Sequence, residues 1–202
     1  MDGPDGGRVP FVGLTGGLGA GKSEALDTLG TLGAATLSTD AVVRELLQSD
    51  ELRELLVERL GEGIAPGGQV DRTQIAERVF ADPEQLKWLE GILWPRVGER
   101  VVAWKAEVDA ADPPPPVAVV EVPLLFEADM EDVFDHTVAV VADESIRSER
   151  AAGRGHASLE SRTGRQLPQE EKADRADFVV RNDGTLDELR DDLSRLLATI
   201  GT

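Results

Sequence analysis

Residues Gly16-Gly17-Leu18-Gly19-Ala20-Gly21-Lys22-Ser23 satisfy the spacing G-x-x-x-x-G-K-[ST], and their flanks decide the fold. Upstream, Val9 to Leu14 is a strand-like apolar run. Downstream, from Glu24 to Leu32, Ala25, Leu26, Leu29 and Leu32 recur on one helical face. A glycine-rich turn between strand and helix lets successive backbone N–H groups face inward. They form an anion nest at a helix N-terminus, whose dipole also favours phosphate. Lys22 adds a point charge suited to β- and γ-phosphates, and the Ser23 hydroxyl suits Mg²⁺. The stretch predicts a nucleoside triphosphate site built on Gly17, Leu18, Gly19, Ala20, Gly21, Lys22 and Ser23. Glu24 joins it through its backbone, with its side chain expected in solvent, where an acid in a first helical turn is tolerated.

Outward from this loop, short β-branched runs alternate with longer helical patterns, the mark of an α/β chain. Ala35–Ser38, Val117–Val122, Val138–Val141 and Phe178–Val180 read as further strands. From Ala41 to about Asp109 only helical patterns occur, one of them opened by Asp82 as cap and Pro83 at the first position. An all-helical stretch of roughly 65 residues is long for a crossover and predicts a subdomain. Pro113 to Pro116 reads as a stiff surface connector. Thr185 and Glu188 have capping-box spacing and open a closing helix, with Leu186, Leu189, Leu193, Leu196, Leu197 and Ile200 expected on the sheet.

The chain has 202 residues, 41% hydrophobic and 30% charged, which is enough for a full core. No apolar run approaches the roughly 18 residues of a membrane span. Met1 to Gly7 is glycine-rich and acidic with no signal-peptide core, so residues 1–8 read as a loose, disordered tail. The absence of cysteine excludes disulfides, thiol catalysis and Cys-ligated zinc, and it fits a cytoplasmic protein. Thirty-nine acids against 21 bases give a net charge of −18, which argues against nucleic-acid or anionic-membrane partners. Seventeen of the bases are Arg and only 4 are Lys, a pattern that fits either salt adaptation or genomic base composition.

Charge reverses locally between residues 145 and 166, where Arg147, Arg150, Arg154, Arg162 and Arg165 face only Glu149 and Glu160. Guanidinium groups suit phosphate oxygens, and Arg150 and Arg154 lie four apart on one helical face. The alternative is a solvated face, the reading assigned to Arg147 and Arg165. Asp40 ends the Ala35–Ser38 strand region, where α/β sheets place ligands. It reads either as an acceptor-hydroxyl base or as a helix N-cap. His136 and His156 read as surface residues. Trp88, Trp94 and Trp104 read as core, with a pocket lining as the alternative.

The chain's one asparagine, Asn182, is followed by Asp183-Gly184-Thr185, so it is not part of a GTPase N-K-x-D base reader, and no L-S-G-G-Q signature occurs. What remains is a small-molecule kinase. Here the resemblance becomes specific: from Phe11 to the final helix the chain resembles the dephospho-CoA kinases. The carrying residues are Leu14 to Ser23, Asp40 with Arg44, Val70-Asp71-Arg72 with Val79-Phe80, Leu89 to Pro95, Pro123-Leu124-Leu125-Phe126-Glu127, Gln166, Ala176-Asp177 and Asn182.

The resemblance implies a P-loop NTPase fold, a parallel five-stranded sheet flanked by helices, as a single domain over 9–202. Its core would be 9–40, 117–143 and 176–202, with a helical substrate-side insertion at about 41–110 and an Arg-rich lid at about 145–170. It implies transfer of the ATP γ-phosphoryl group to the ribose 3′-hydroxyl of dephospho-CoA, with Mg²⁺ as cofactor, by a cytoplasmic monomer or weak homo-oligomer. Implied catalytic residues are Asp40, Lys22, Arg150 and Arg154, with Asn182 added to the ATP site. Arg44, Pro123 and Leu124 fall on the acceptor side. Arg72 and Glu127 either position the acceptor or brace subdomains. Ser23 is the metal ligand, with Glu121 a second candidate acting through water. Three departures stand out: Ser38 where the family has an acid, Trp94 where it has His, and a segment from Arg154 to Gln166 about three residues shorter. The rival readings are a kinase of another small nucleotide or cofactor, and a non-catalytic ATP-binding sensor.

Overall fold

The apolar run that enters the glycine stretch forms β1 (Phe11–Gly16), buried at all six positions. It is the central strand, pairing in parallel with β3 (Ala118–Glu121) on one side and β4 (His136–Val141) on the other. β2 (Ala35–Ser38) pairs with β3, and β5 (Phe178–Arg181) with β4, both in parallel, giving the order β2-β3-β1-β4-β5. The computed structural model describes residues 8–152 and 166–201. Tail residues Met1–Gly7 and the arginines Arg154, Arg162 and Arg165, with His156, lie outside the described residues.

The helices are α1 (Lys22–Thr31), α2 (Thr39–Leu46), α3 (Asp50–Leu60), α4 (Arg72–Phe80), α5 (Pro83–Asp109), α6 (Glu144–Ala152), α7 (Gln169–Arg175) and α8 (Leu186–Ile200). Parallel sheets are covered on both faces, which is why β1 and β3 are buried along their whole length, Thr15 and Glu121 included. Side chains still alternate along β1. Val12 and Leu14 join a core with Ala25 and Leu29 of α1 and Leu189 and Leu193 of α8. On the other face Gly13 leaves room for Leu125 and Phe134: a β-carbon there would lie 2.5 Å from Leu125 Cδ1 and 2.8 Å from Phe134 Cδ2.

Residues 1–38 with 104–202 make one compact unit, and 39–103 make another. The second unit has a core of its own, including Leu52, Leu56, Ile64, Ile75, Val79 and Leu93. Helices α4 and α5 start where short polar side chains satisfy exposed N–H groups. Asp71 Oδ1 accepts from Thr73 at 2.8 Å, and Asp82 Oδ1 accepts from Glu84 at 2.9 Å. No helix among the described residues is long and apolar enough to cross a membrane.

Three expectations need correction. β1 begins at Phe11 rather than Val9, because the Val9 N–H leaves the ladder and donates to Asp109 Oδ1 at 3.0 Å. Leu186 is 63% exposed although the rest of its stripe is buried. As the first residue of α8 its side chain tilts back past the helix start. Trp94 is 55% exposed and not core, since it shares the exposed face of α5 with Gly91 and Gly98 while Leu89 and Leu93 point inward. Trp88 is partly buried against the second core, and Trp104 is half-buried.

Candidate active site

β1 delivers the chain to Gly16, at the carboxyl end of the central strand, and α1 begins at Lys22. Neighbouring strands connect to opposite sides of the sheet here, the crevice where open α/β sheets bind ligands. The turn between needs left-handed backbone, with φ +76° at Gly19 and +91° at Gly21. Gly21 is the N-cap of α1 and provides no side-chain cap, so the first N–H groups of the helix are left for another acceptor. Ala20 N–H closes the turn onto the Gly17 carbonyl at 3.2 Å. Lys22 Nζ donates to the carbonyl oxygens of Gly16 and Gly17, both at 3.0 Å, which holds the ammonium against the start of the loop. Leu18 is half-buried, while Ser23 and Glu24 are exposed.

Side chains from distant segments fix this loop. Asn182, buried just after β5, donates from Nδ2 to the Ala20 carbonyl at 2.9 Å, and its own N–H donates to Val141 at 2.8 Å. From α6, Arg147 Nε donates to the Leu18 carbonyl at 3.0 Å and Nη1 pairs with Glu144 at 2.9 Å. Arg150 Nη1 donates to the Asn182 carbonyl at 3.2 Å, beside Gly21. Thus Arg147, read from sequence as a solvated residue, touches the loop directly. The available signal was its place three residues before Arg150, on the same helical face. Arg154 lies outside the described residues.

At the neighbouring strand end, Glu121 is 5% exposed and stands opposite Leu14 and Ser38 in register. The turn after it carries Pro123, Leu124 and Glu127. Leu124 is half-buried. The Pro123 carbonyl accepts from Lys172 Nζ at 2.7 Å. Glu127 Oε1 accepts from Lys172 Nζ at 2.8 Å and from Leu167 N–H at 2.8 Å, while Oε2 is buried with no partner among the described residues. All of these contacts lie inside the unit of residues 1–38 and 104–202 and brace it internally. Burial pushes the Lys172 ammonium below its ordinary value, and Glu127 pulls it back in part. Sequence reasoning missed Lys172. Its rarity, as one of 4 lysines, was the only signal.

In the second unit, Asp40 lies inside the first turn of α2 and is half-buried, so it is not the residue preceding the helix that an N-cap would be. Arg44 is exposed in the last turn of the same helix, and Arg72 is exposed as the first residue of α4. The oxygen donors near the loop, the exposed Ser23 hydroxyl and the buried Glu121 carboxylate, fit a hard divalent cation such as Mg²⁺.

A glycine loop joining the central parallel strand to a helix, with lysine and serine opening that helix and two arginines ordered beside it, defines a P-loop phosphotransferase of the small kinase class. Comparison with known proteins narrows the class. The family model for dephospho-CoA kinase matches residues 10–188. A dephospho-CoA kinase from Protochlamydia amoebophila is 41% identical over 194 residues, covering 94% of this chain and 95% of the relative. A crystal structure from Thermus thermophilus superposes with a TM-score of 0.80 at 32% identity, covering 96% of this chain and 99% of that one. The dephospho-CoA kinase from Campylobacter jejuni shares the fold, with a TM-score of 0.65 at 20% identity over 96% of this chain and 98% of that one. The chain belongs to the dephospho-CoA kinase family and is an ATP-dependent kinase.

Proposed function

We propose that this chain transfers the γ-phosphoryl group of ATP to the ribose 3′-hydroxyl of dephospho-CoA. The observation that carries the reading is the phosphate loop, held at the end of β1 by Asn182 and Arg147, in a chain of this family. The backbone N–H groups of Gly17–Ser23 and the Lys22 ammonium take the β- and γ-phosphates. Ser23, with Glu121 through water, would hold Mg²⁺, which when bound neutralises charge on those phosphates.

The acceptor oxygen forms its bond to the γ-phosphorus as the bond from that phosphorus to the β–γ bridging oxygen breaks. The hydroxyl proton passes to the Asp40 carboxylate, and ADP leaves. Arg150, beside Gly21, and Arg154 neutralise charge on the transferring group. Arg44, Arg72, Pro123 and Leu124 serve the acceptor, and the Arg-rich segment of about residues 145–170 serves as the lid. The enzyme works in the cytoplasm as a monomer or weak homo-oligomer.

The test mixes purified protein with Mg·ATP and dephospho-CoA and follows coenzyme A by mass spectrometry. Wild type makes product, Lys22→Ala loses it, and Asp40→Asn slows it by ~10²–10⁴-fold. ATP binding without product overturns the acceptor. An Asp40→Asn protein that is folded and fully active overturns the base.

A further inference from the structure

The side chain of Lys172, on α7, is fully buried, and no contact to phosphate or step of the proton transfer proposed above involves it. An ammonium has three protons, and three acceptors surround it: Glu127 Oε1 at 2.8 Å, the Pro123 carbonyl at 2.7 Å and Thr15 Oγ1 at 3.4 Å. Thr15 directly precedes Gly16, where the phosphate loop starts, and its hydroxyl also reaches the Pro123 carbonyl at 3.4 Å. Pro123 and Glu127 belong to the turn that follows β3. One ammonium therefore joins the last residues of β1 to the segment leaving β3.

The same short helix holds a third strand end. Gln169, 9% exposed, accepts from Ala142 N–H at 3.2 Å and donates to the Ala142 carbonyl at 2.8 Å, just past β4. Its Cβ lies 3.2 Å from where a β-carbon on Gly17 would sit. Three residues on, Lys172 takes β1 and β3; three further, Arg175 pairs with Glu131 and stacks over the Phe126 ring at 4.8 Å. A buried ion pair contributes little net stability compared with apolar side chains of the same volume. Stability alone is thus a poor reason for a charge here, whereas fixed directions to three acceptors define one geometry for the loop's base.

We infer that Lys172 is a positioning residue for nucleotide binding: through Thr15 and Pro123 it sets the start of the phosphate loop. The inference deepens the kinase reading and rests on it only for the transfer step, because ATP binding can be read without an acceptor. A small shift at this base moves every N–H of the loop relative to the phosphates, and misplacement of about 1 Å costs ~10²-fold in well-ordered sites.

The test compares wild type, Thr15→Val and the double variant Lys172→Met/Glu127→Leu, which removes both charges together. Thermal melting reports folding. Calorimetric titration with Mg and a non-hydrolysable ATP analogue gives the affinity, and steady-state rates give KM for ATP and for dephospho-CoA separately. Expected are melting temperatures close to wild type, affinity for the analogue lowered ~10–100-fold, and KM raised for ATP but not for dephospho-CoA. Thr15→Val is nearly isosteric and keeps the Lys172–Glu127 pair, so it supplies a folded protein even if the double variant does not fold. Either variant, folded and with wild-type affinity for the analogue, overturns the inference and leaves Lys172 a packing residue. Failure of wild type to phosphorylate dephospho-CoA would overturn the acceptor assignment instead, with the binding comparison still deciding this one.

Discussion

The side-chain amide of Asn182 donates to the backbone carbonyl of Ala20 at 2.9 Å, joining residues 162 positions apart in the middle of the phosphate loop. Asn182 is 4% exposed, so its bond to the Ala20 carbonyl is shielded from bulk water. Asn182→Ala leaves the Ala20 carbonyl without this donor, at a cost of about 1–3 kcal/mol. The variant should unfold at lower urea and bind ATP more weakly, both read in one denaturation series with and without nucleotide. Unchanged nucleotide binding would confine Asn182 to a structural role.

Gly21 packs against the same amide. Its φ is +91°, and a β-carbon there would lie 2.0 Å from Asn182 Nδ2. Gly21→Ala therefore meets both backbone strain and a clash that must push Asn182 off Ala20. Gly33 is the control, with φ +97° and nothing within 4 Å of where its β-carbon would sit. Gly33→Ala should cost only the left-handed strain, ~1–2 kcal/mol, and leave ATP affinity unchanged. Titration calorimetry on the pair checks this: equal affinities would disconnect the loop's shape from the Asn182 contact.

Asp109 ties the start of β1 to the end of α5, accepting from Lys105 Nζ at 2.6 Å and from the Val9 N–H at 3.0 Å. The Lys105 hydrogen bond foremost holds its carboxyl below the ordinary 3.8; burial opposes it next in size, and Val9 and Arg8 add to the lowering. The unfolded chain protonates first as pH falls, so the contribution is complete above about pH 3.8 and is lost below it, as pH passes through the folded value. Asp109→Asn should be ~0.2–1 kcal/mol less stable at pH 7. The gap from wild type should narrow progressively in denaturant melts taken at falling pH below 3.8. A gap that persists there would be packing, not charge.

α8 separates local from tertiary effects within one helix. Thr185 Oγ1 accepts from Glu188 N–H at 3.3 Å, and Glu188 Oε2 accepts from Thr185 N–H at 2.7 Å, a complete capping box. Thr185→Ala should cost ~0.5–2 kcal/mol. Leu193→Ala, at a fully buried core position, should cost ~2–5 kcal/mol. Leu186→Ser should stay within ~0.5 kcal/mol, because that side chain is already in solvent. Urea midpoints in the order Leu186→Ser, Thr185→Ala, Leu193→Ala, from mildest to most severe, are expected. A severe Leu186→Ser would mean the α8 stripe is buried from its first residue.

What the sequence determined by itself was whatever depends on near neighbours along the chain. The loop between β1 and α1, the start of α5 at Pro83, the capping box at Thr185 and the five strands all follow from spacing and residue type within a few positions. The family resemblance already pointed to Asn182 and Arg150 beside that loop, whereas only the tertiary structure brought Arg147 and Lys172 to it. Arg147 reaches Leu18 across 129 positions and Lys172 reaches Thr15 across 157, and neither distance leaves a periodic trace in sequence. Exposure of Trp94 and burial of Lys172 invert what their side chains suggest, because burial is set by the elements packed around a position. Hydrophobic periodicity says only which face of an element turns inward.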